Sequence, residues 1–129
     1  MTLASTLTER PDVTISGYNG TGVDIAAGVF VTGTEDAIAL PAATTDPILG
    51  VTRSIVKAAQ RGPVMLRGKA IVTAGVGGTT VGLRVMPEAA TGKAAIWTSA
   101  NSVGGISRKT VAADAQVEVE LLGPGATGA

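Results

Sequence analysis

The chain has 129 residues, no cysteine, no histidine, and ten basic side chains against ten acidic ones. Zero net charge leaves no global field to gather nucleic acid or a membrane surface. Without cysteine there is no disulfide or thiolate chemistry, and without histidine the commonest general base and metal ligand are gone.

Apolar residues make up 45% of the chain but aromatics only 2%, so a core has to be built from Val, Ile, Leu and Ala. Eighteen glycines and six prolines make the chain turn often. Short Val/Ile/Thr runs between such turns predict an all-β fold, a small sandwich or barrel, rather than a helical one.

Residues 1–11, polar and threonine-rich, are expected to form an N-terminal arm with little to bury. They lack the basic and apolar blocks of a signal peptide, and no segment nears the roughly 20 apolar residues of a membrane span. The β region is expected over residues 12–123 and a loose tail, PGATGA, over 124–129. Val13-Thr14-Ile15 alternates as a strand does. Asn19-Gly20 suits a type I′ hairpin turn, and outweighs the glycosylation triplet Asn19-Gly20-Thr21. GVDIAAGVFVTG predicts two short strands around Gly28, AIALP a third ending at Pro41, and ILGVTR a fourth. RGPVMLRGKAIVTAG reads as one long strand with a bulge or kink at Gly68. GVGG is a turn, GTTVGLRVMP and AAIWTS are strands, and the closing strands lie in residues 103–123. The Ala-rich IVKAAQ and TVAADAQ leave room for a helical turn.

Gly50–Gly68 and Gly105–Gly123 align without a gap at a spacing of 55 residues, with seven of 19 positions identical. In QVEVELLG, Val117, Val119 and Leu121 share one face and Glu118 and Glu120 the other. The copies agree at Val64/Val119 and Leu66/Leu121 and at the turn glycines, and disagree outward at Met65/Glu120 and Arg67/Leu122. Preserved core positions with divergent outer ones mark a repeated packing unit rather than a repeated active site. Arg53/Arg108 is the one polar identity. Strand parity sets both on the apolar face, where each either snorkels, turns out at a bulge, or meets a carboxylate across an interface.

Motifs of chemistry fail on inspection. GGTTVGLR has the glycines of a phosphate loop but Leu83-Arg84 where Lys and Ser/Thr are needed, and reads as a hairpin. Glu35-Asp36 sit in a turn, Glu118 and Glu120 on an exposed strand face, and no histidine activates a serine. The expectation is a non-enzymatic protein with no cofactor and no metal. The charge is segregated: six acids against Arg10 in residues 1–50, nine bases against Glu88 in residues 51–110. That pattern suits either a mixed surface or a polar protein–protein interface whose sides differ in sign.

AAGVFVTG, DAIALP and DPILGV, then QRGPVMLRGKAIVTAG, then VGGISRKTVAADAQVEVELLG follow one another as in the head decoration, or capsid cement, proteins of tailed bacteriophages, which the chain resembles over about residues 22–123. The extra residue in Ile48-Leu49-Gly50 departs from the family's turn. The resemblance implies a β-tulip-like barrel or sandwich forming a homotrimer on the outer capsid surface of the virion. Its partner would be the major capsid protein, clamped after head expansion, with no direct nucleic-acid or membrane contact and no catalytic residues. Candidate interface residues are Thr2, Leu3, Leu7 and Arg10 in the arm, with Arg53 and Arg108. The alternatives are a carbohydrate- or cell-surface-binding β module of a virion, a small hydrolase, or a carrier domain displaying Lys69 or Lys93.

Overall fold

The computed structural model of the protein describes residues 13–122. Among them run nine strands: β1 (Val13–Tyr18), β2 (Phe30–Thr34), β3 (Ala37–Ala39), β4 (Gly50–Thr52), β5 (Arg61–Thr73), β6 (Arg84–Pro87), β7 (Ala94–Ile96), β8 (Gly105–Ser107) and β9 (Gln116–Leu121). They form one curled antiparallel sheet in the order β3-β2-β4-β5-β9-β8-β6-β7, with β1 also on β5. The all-β expectation holds, and the Ala-rich stretches form turns rather than helix.

The long strand organises everything else. The first part of β5 pairs with β1 and β4, and from Gly68 onward it pairs with β9. Gly68 has φ +109°, a conformation glycine reaches without cost, and β1 shifts register between Val13 and Thr14 beside it. The kink expected at Gly68 is where one half of the molecule passes into the other.

The 19-residue repeat turns out to be part of a repeat spanning all the described residues. Val51↔Met65 and Thr52↔Val64 recur as Ile106↔Glu120 and Ser107↔Val119. Phe30↔Val51 and Val31↔Gly50 recur as Arg84↔Ile106 and Val85↔Gly105. Ser16↔Pro63, between β1 and β5, recurs as Ile71↔Glu118, between β5 and β9. The bridge Ile25↔Val56 recurs as Thr79↔Val111. Loop hydrogen bonds follow suit: Thr52 N–H to Val29 C=O matches Ser107 N–H to Leu83 C=O, and Arg53 N–H to Pro63 C=O matches Arg108 N–H to Glu118 C=O. Each half is therefore a five-stranded sheet of the same order, β3-β2-β4-β5-β1 and β7-β6-β8-β9-β5. The second part of β5 in the later half stands where β1 does in the earlier one.

Packing distinguishes the halves. Ile25, Val29, Val31, Ile38, Val56 and Val64 form the core of the first. Ala70, Val72, Val85, Ala94, Val117, Val119 and Leu121 form that of the second, but Phe30, Ile48, Val51 and Met65 from the first half join it. Neighbouring residues on a strand point to opposite faces. Phe30 and Val31, and likewise Met65 and Val64, are nevertheless all buried, so the first half is covered on both faces. The counterparts of Phe30 and Met65 in the second half are Arg84, which is exposed, and Glu120, which is half-exposed. The outward disagreements between the copies record which half covers the other.

Three expectations need correction. Asn19-Gly20 is not a type I′ turn: neither residue has positive φ, and β1 pairs with β5 rather than with the next strand. Asn19 is fully buried; its amide donates to Val23 O at 2.7 Å and Val56 O at 2.9 Å, and its Oδ1 accepts from Thr21 N at 3.0 Å. The side chain brackets the loop to the first core. Asn19→Ala would take one bond from each of these carbonyls and leave Thr21 N–H without its acceptor, while Val56 C=O keeps Ile25 N–H at 2.9 Å, and should cost about 1–2 kcal/mol, read as a lower urea midpoint. GGTTVGLR is not a simple hairpin, because Thr79 bridges Val111 and Arg84 pairs with Ile106. Of GTTVGLRVMP only Arg84–Pro87 is strand, since glycines at 78 and 82 with φ +69° and +80° break the ladder.

The repeated turns Ala58–Gln60 and Ala113–Ala115 place Ala59 and Asp114 at φ +60° and +64°. Aspartate tolerates the left-handed region and alanine does not, at about 1 kcal/mol or more. Ala59→Gly is expected to raise stability by about 0.5–1 kcal/mol in thermal unfolding, with the Asp114 turn as the internal comparison.

Candidate functional site

Arg53 and Arg108 occupy equivalent points, each just past its strand, each fixed by the backbone bond to Pro63 or Glu118. Thr52 and Ser107 take the inward positions, both about 1% exposed. The arginines turn out instead of entering the core, and both are exposed. Being equivalent in two successive halves, they do not converge on one site, and their surroundings differ.

Arg108 reaches Glu120 at 3.4 Å, an exposed pair worth little to stability. Arg53 faces Met65 at the corresponding place. Among the described residues it has no carboxylate within ion-pair distance. It lines an open cleft of about 240 Å³ at the seam of the halves, with Gly28, Met65, Lys69, Ile71 and Gln116. Two cationic groups over a partly apolar floor are chemically suited to a carboxylate. Thr2, Leu3, Leu7 and Arg10 lie outside the described residues.

Two further cationic groups are tied down. Arg61 holds Asp36 at 2.9 Å and also the carbonyl of Ser16 at 2.8 Å, closing the β2–β3 turn against β1. Lys93 holds Asp114 at 2.8 Å. The hydrogen bond and charge of Asp114 raise the Lys93 pKa above its ordinary value, the opposite of what a nucleophilic or carrier lysine needs. Among the described residues no three His, Cys, Asp or Glu side chains gather as a metal site would require.

A second surface was not anticipated from the sequence. Val81, Leu83 and Ile96 are 58%, 46% and 37% exposed. Leu83 and Ile96 line a shallow groove with Gly82, Arg84 and Trp97, and the Arg84 guanidinium lies 5.3 Å from the Trp97 ring. The apolar GLRV stretch reads as an ordinary strand in the sequence. Only the equivalence of Gly28 with Gly82 shows that its first residues belong to a different edge.

No protein-family model and no curated protein matches the sequence. Among solved structures, the chain is similar to the N base of the head fiber gp8.5 of bacteriophage phi29, with a TM-score of 0.62 and 16% identity over 86% of this chain and 94% of that one. At that identity the likeness is one of fold, and it extends over nearly the whole length of both chains.

Proposed function

We propose that the protein is a structural component of a phage virion that seats on the outside of the head, binds the major capsid protein and stabilises contacts between its subunits. One observation carries this reading: over 86% of this chain the fold is similar to that of the base of a phage head fiber. The order of apolar and glycine motifs shared with head decoration proteins supports it independently. So do the exposed Arg53 and the apolar strip, which offer charge and apolar area to a partner. Self-association as a homotrimer, and contacts through Arg53 and residues 1–11, belong to the same reading. Many weak copies on a symmetric lattice reinforce one another without any strong single contact.

The likeness to a fiber base also favours a second reading, in which the chain is a virion module that binds carbohydrate or a cell surface. Copy number in purified particles separates the two. A ratio to major capsid protein near one to one is expected for lattice cement, and a few copies per particle would replace it with the second reading. On particles, deleting Thr2–Arg10 and Arg53→Ala should each lower occupancy while the unfolding free energy of the free protein in urea stays within about 0.5 kcal/mol of wild type. Unchanged occupancy in both variants would remove the arm and Arg53 from the interface.

A further inference from the structure

The internal repeat supplies a template for the uncovered strip. In the first half, Gly28 and Phe30 form a backbone edge that the second half covers. Thr73 N–H donates to Gly28 C=O at 2.8 Å, and Phe30 N–H donates to Gly92 C=O at 2.7 Å. Val29, between them, is 4% exposed. The equivalent edge of the second half is Gly82 to Arg84. It is held to β8 in the same way, with Gly82 N–H on Ser107 C=O as Gly28 N–H is on Thr52 C=O. Gly28 and Gly82 even share positive φ, +72° and +80°.

The covering layer is what differs. Among the described residues, Gly82 C=O and Arg84 N–H take no backbone hydrogen bond. A Cβ at Gly82 would meet nothing within 4 Å, whereas one at Gly28 would meet Ile71 O at 3.2 Å. The side chains on this open edge are apolar: Leu83 stands where buried Val29 does, and Val81 where Ala27 does. A strip built like a buried edge, with its two backbone groups unpaired, is a docking surface.

The layer that covers the first-half edge is the second part of β5, and its structural equivalent in the chain is β1. Among the described residues, no backbone group pairs with the outer side of that strand over Val13–Ser16. Tyr18 N–H points away from β5 to Glu35 C=O, so by the two-residue period Ser16 and Thr14 present their backbone groups the same way. Val13, Thr14 and Ser16 are exposed, and Ser16 C=O takes only the Arg61 guanidinium. We propose that the Val81–Arg84 edge of one copy of this chain docks on the outer edge of β1 of a second copy, a head-to-tail contact patterned on the junction between the two halves but displaced along β1 to Thr14 and Ser16, because Tyr18, the equivalent of Thr73, already gives its N–H to Glu35 C=O. The contact deepens the self-association in the reading above, but it does not depend on capsid binding. Each copy offers one donor strip and one acceptor edge, so the association is heterologous and closes into a ring or grows.

Sedimentation equilibrium of the purified full chain tests this off the capsid. Wild type should sediment as an oligomer. Leu83→Glu, which spoils the strip at an exposed position, and Ser16→Pro, which blocks the edge without removing a β5 bond, should each sediment as monomers with wild-type urea midpoints. Mixed one to one, they should give a dimer, since one keeps the edge and the other the strip. Val13→Glu serves as a second edge variant if Ser16→Pro unfolds. A monomeric wild type, an unchanged mass for Leu83→Glu, or a mixture of folded variants that stays monomeric would each overturn the proposal. A monomeric wild type whose Leu83→Glu variant loses occupancy on particles would assign the strip to capsid protein instead. Particle binding that fails while the solution oligomer persists would sink the capsid reading and leave this contact standing.

Discussion

Replacing Gly50 or Gly105 by alanine is expected to destabilise the protein by about 3 kcal/mol or more, a large share of the roughly 5–15 kcal/mol that holds a domain of this size together. These two glycines open β4 and β8, and both are identities of the sequence repeat. At Gly50 an added Cβ runs into the carbonyl oxygen of Met65, with Val64 Cγ1 at 3.0 Å. At Gly105 it runs into the carbonyl oxygen of Glu120, with Val119 Cγ1 at 2.6 Å. The obstacle is backbone in the centre of the sheet, so no rotamer change relieves it. Gly77 provides the control. It has no positive φ, and a Cβ there meets nothing within 4 Å. Gly77→Ala should be neutral or stabilising by up to about 1 kcal/mol, through the entropy it removes from the unfolded chain. Chemical denaturation of the three variants decides the matter. A loss below about 1 kcal/mol at both Gly50 and Gly105 would mean that the strands separate more easily than their register implies.

Phe30→Ala should cost about 3–5 kcal/mol, lowering the melting temperature by about 12–20 °C at some 4 °C per kcal/mol. Phe30 is the largest fully buried side chain. It leaves the first half on β2 and ends in the core of the second, where a Cβ at Gly104 would strike its ring. Its loss opens a cavity at the seam, where rigid backbone on both sides limits collapse. Arg84→Ala, at the equivalent place in the second half, removes an exposed side chain stacked near Trp97 and should cost no more than about 1 kcal/mol. Equal losses at the two positions would show that the seam is not held by Phe30. If Phe30→Ala instead unfolds in two steps, the seam is what couples the halves into one transition.

Much of the fold was legible because its grammar is local. Gly50–Thr52, Ala37–Ala39, Ala94–Ile96 and the kinked β5 were all announced by alternation and by glycine. The repeat was visible only across 19 residues, for a physical reason. Those residues build β4, β8 and their neighbours, where both copies face the same kind of core. On the other face of the sheet the two halves meet different surroundings, so Phe30 is matched by Arg84 and, within the repeat itself, Met65 by Glu120. Spacing changes as well: β4 and β8 lie 55 residues apart, whereas Val31 and Val85 lie 54 apart, and a gap-free comparison loses the thread there. Asn19 misled because its dipeptide is a strong local turn signal, while its role is set by Val56, 37 residues away. The same limit hid the Val81–Leu83 strip, since exposure is a property of the assembled sheet and alternation along one strand does not reveal it. Arg53 and Arg108 were singled out correctly as a pair, but parity gave the wrong side. The strand ends before each arginine, and the carbonyls of Pro63 and Glu118 fix its backbone beyond the regular ladder.

The register of β5 also determines how the molecule can be held. Val13 sits opposite Arg67, and Leu121 sits opposite Gly68, the very next residue. The first and last strands thus begin and finish at one place, midway along the strand both halves share. Any pull carried by residues 1–12 and by residues beyond Leu122 arrives at that single point. It would be borne by the ladders on either side of Gly68 before it strained either core. In mechanical terms, the molecule is a doubled loop moored at its waist.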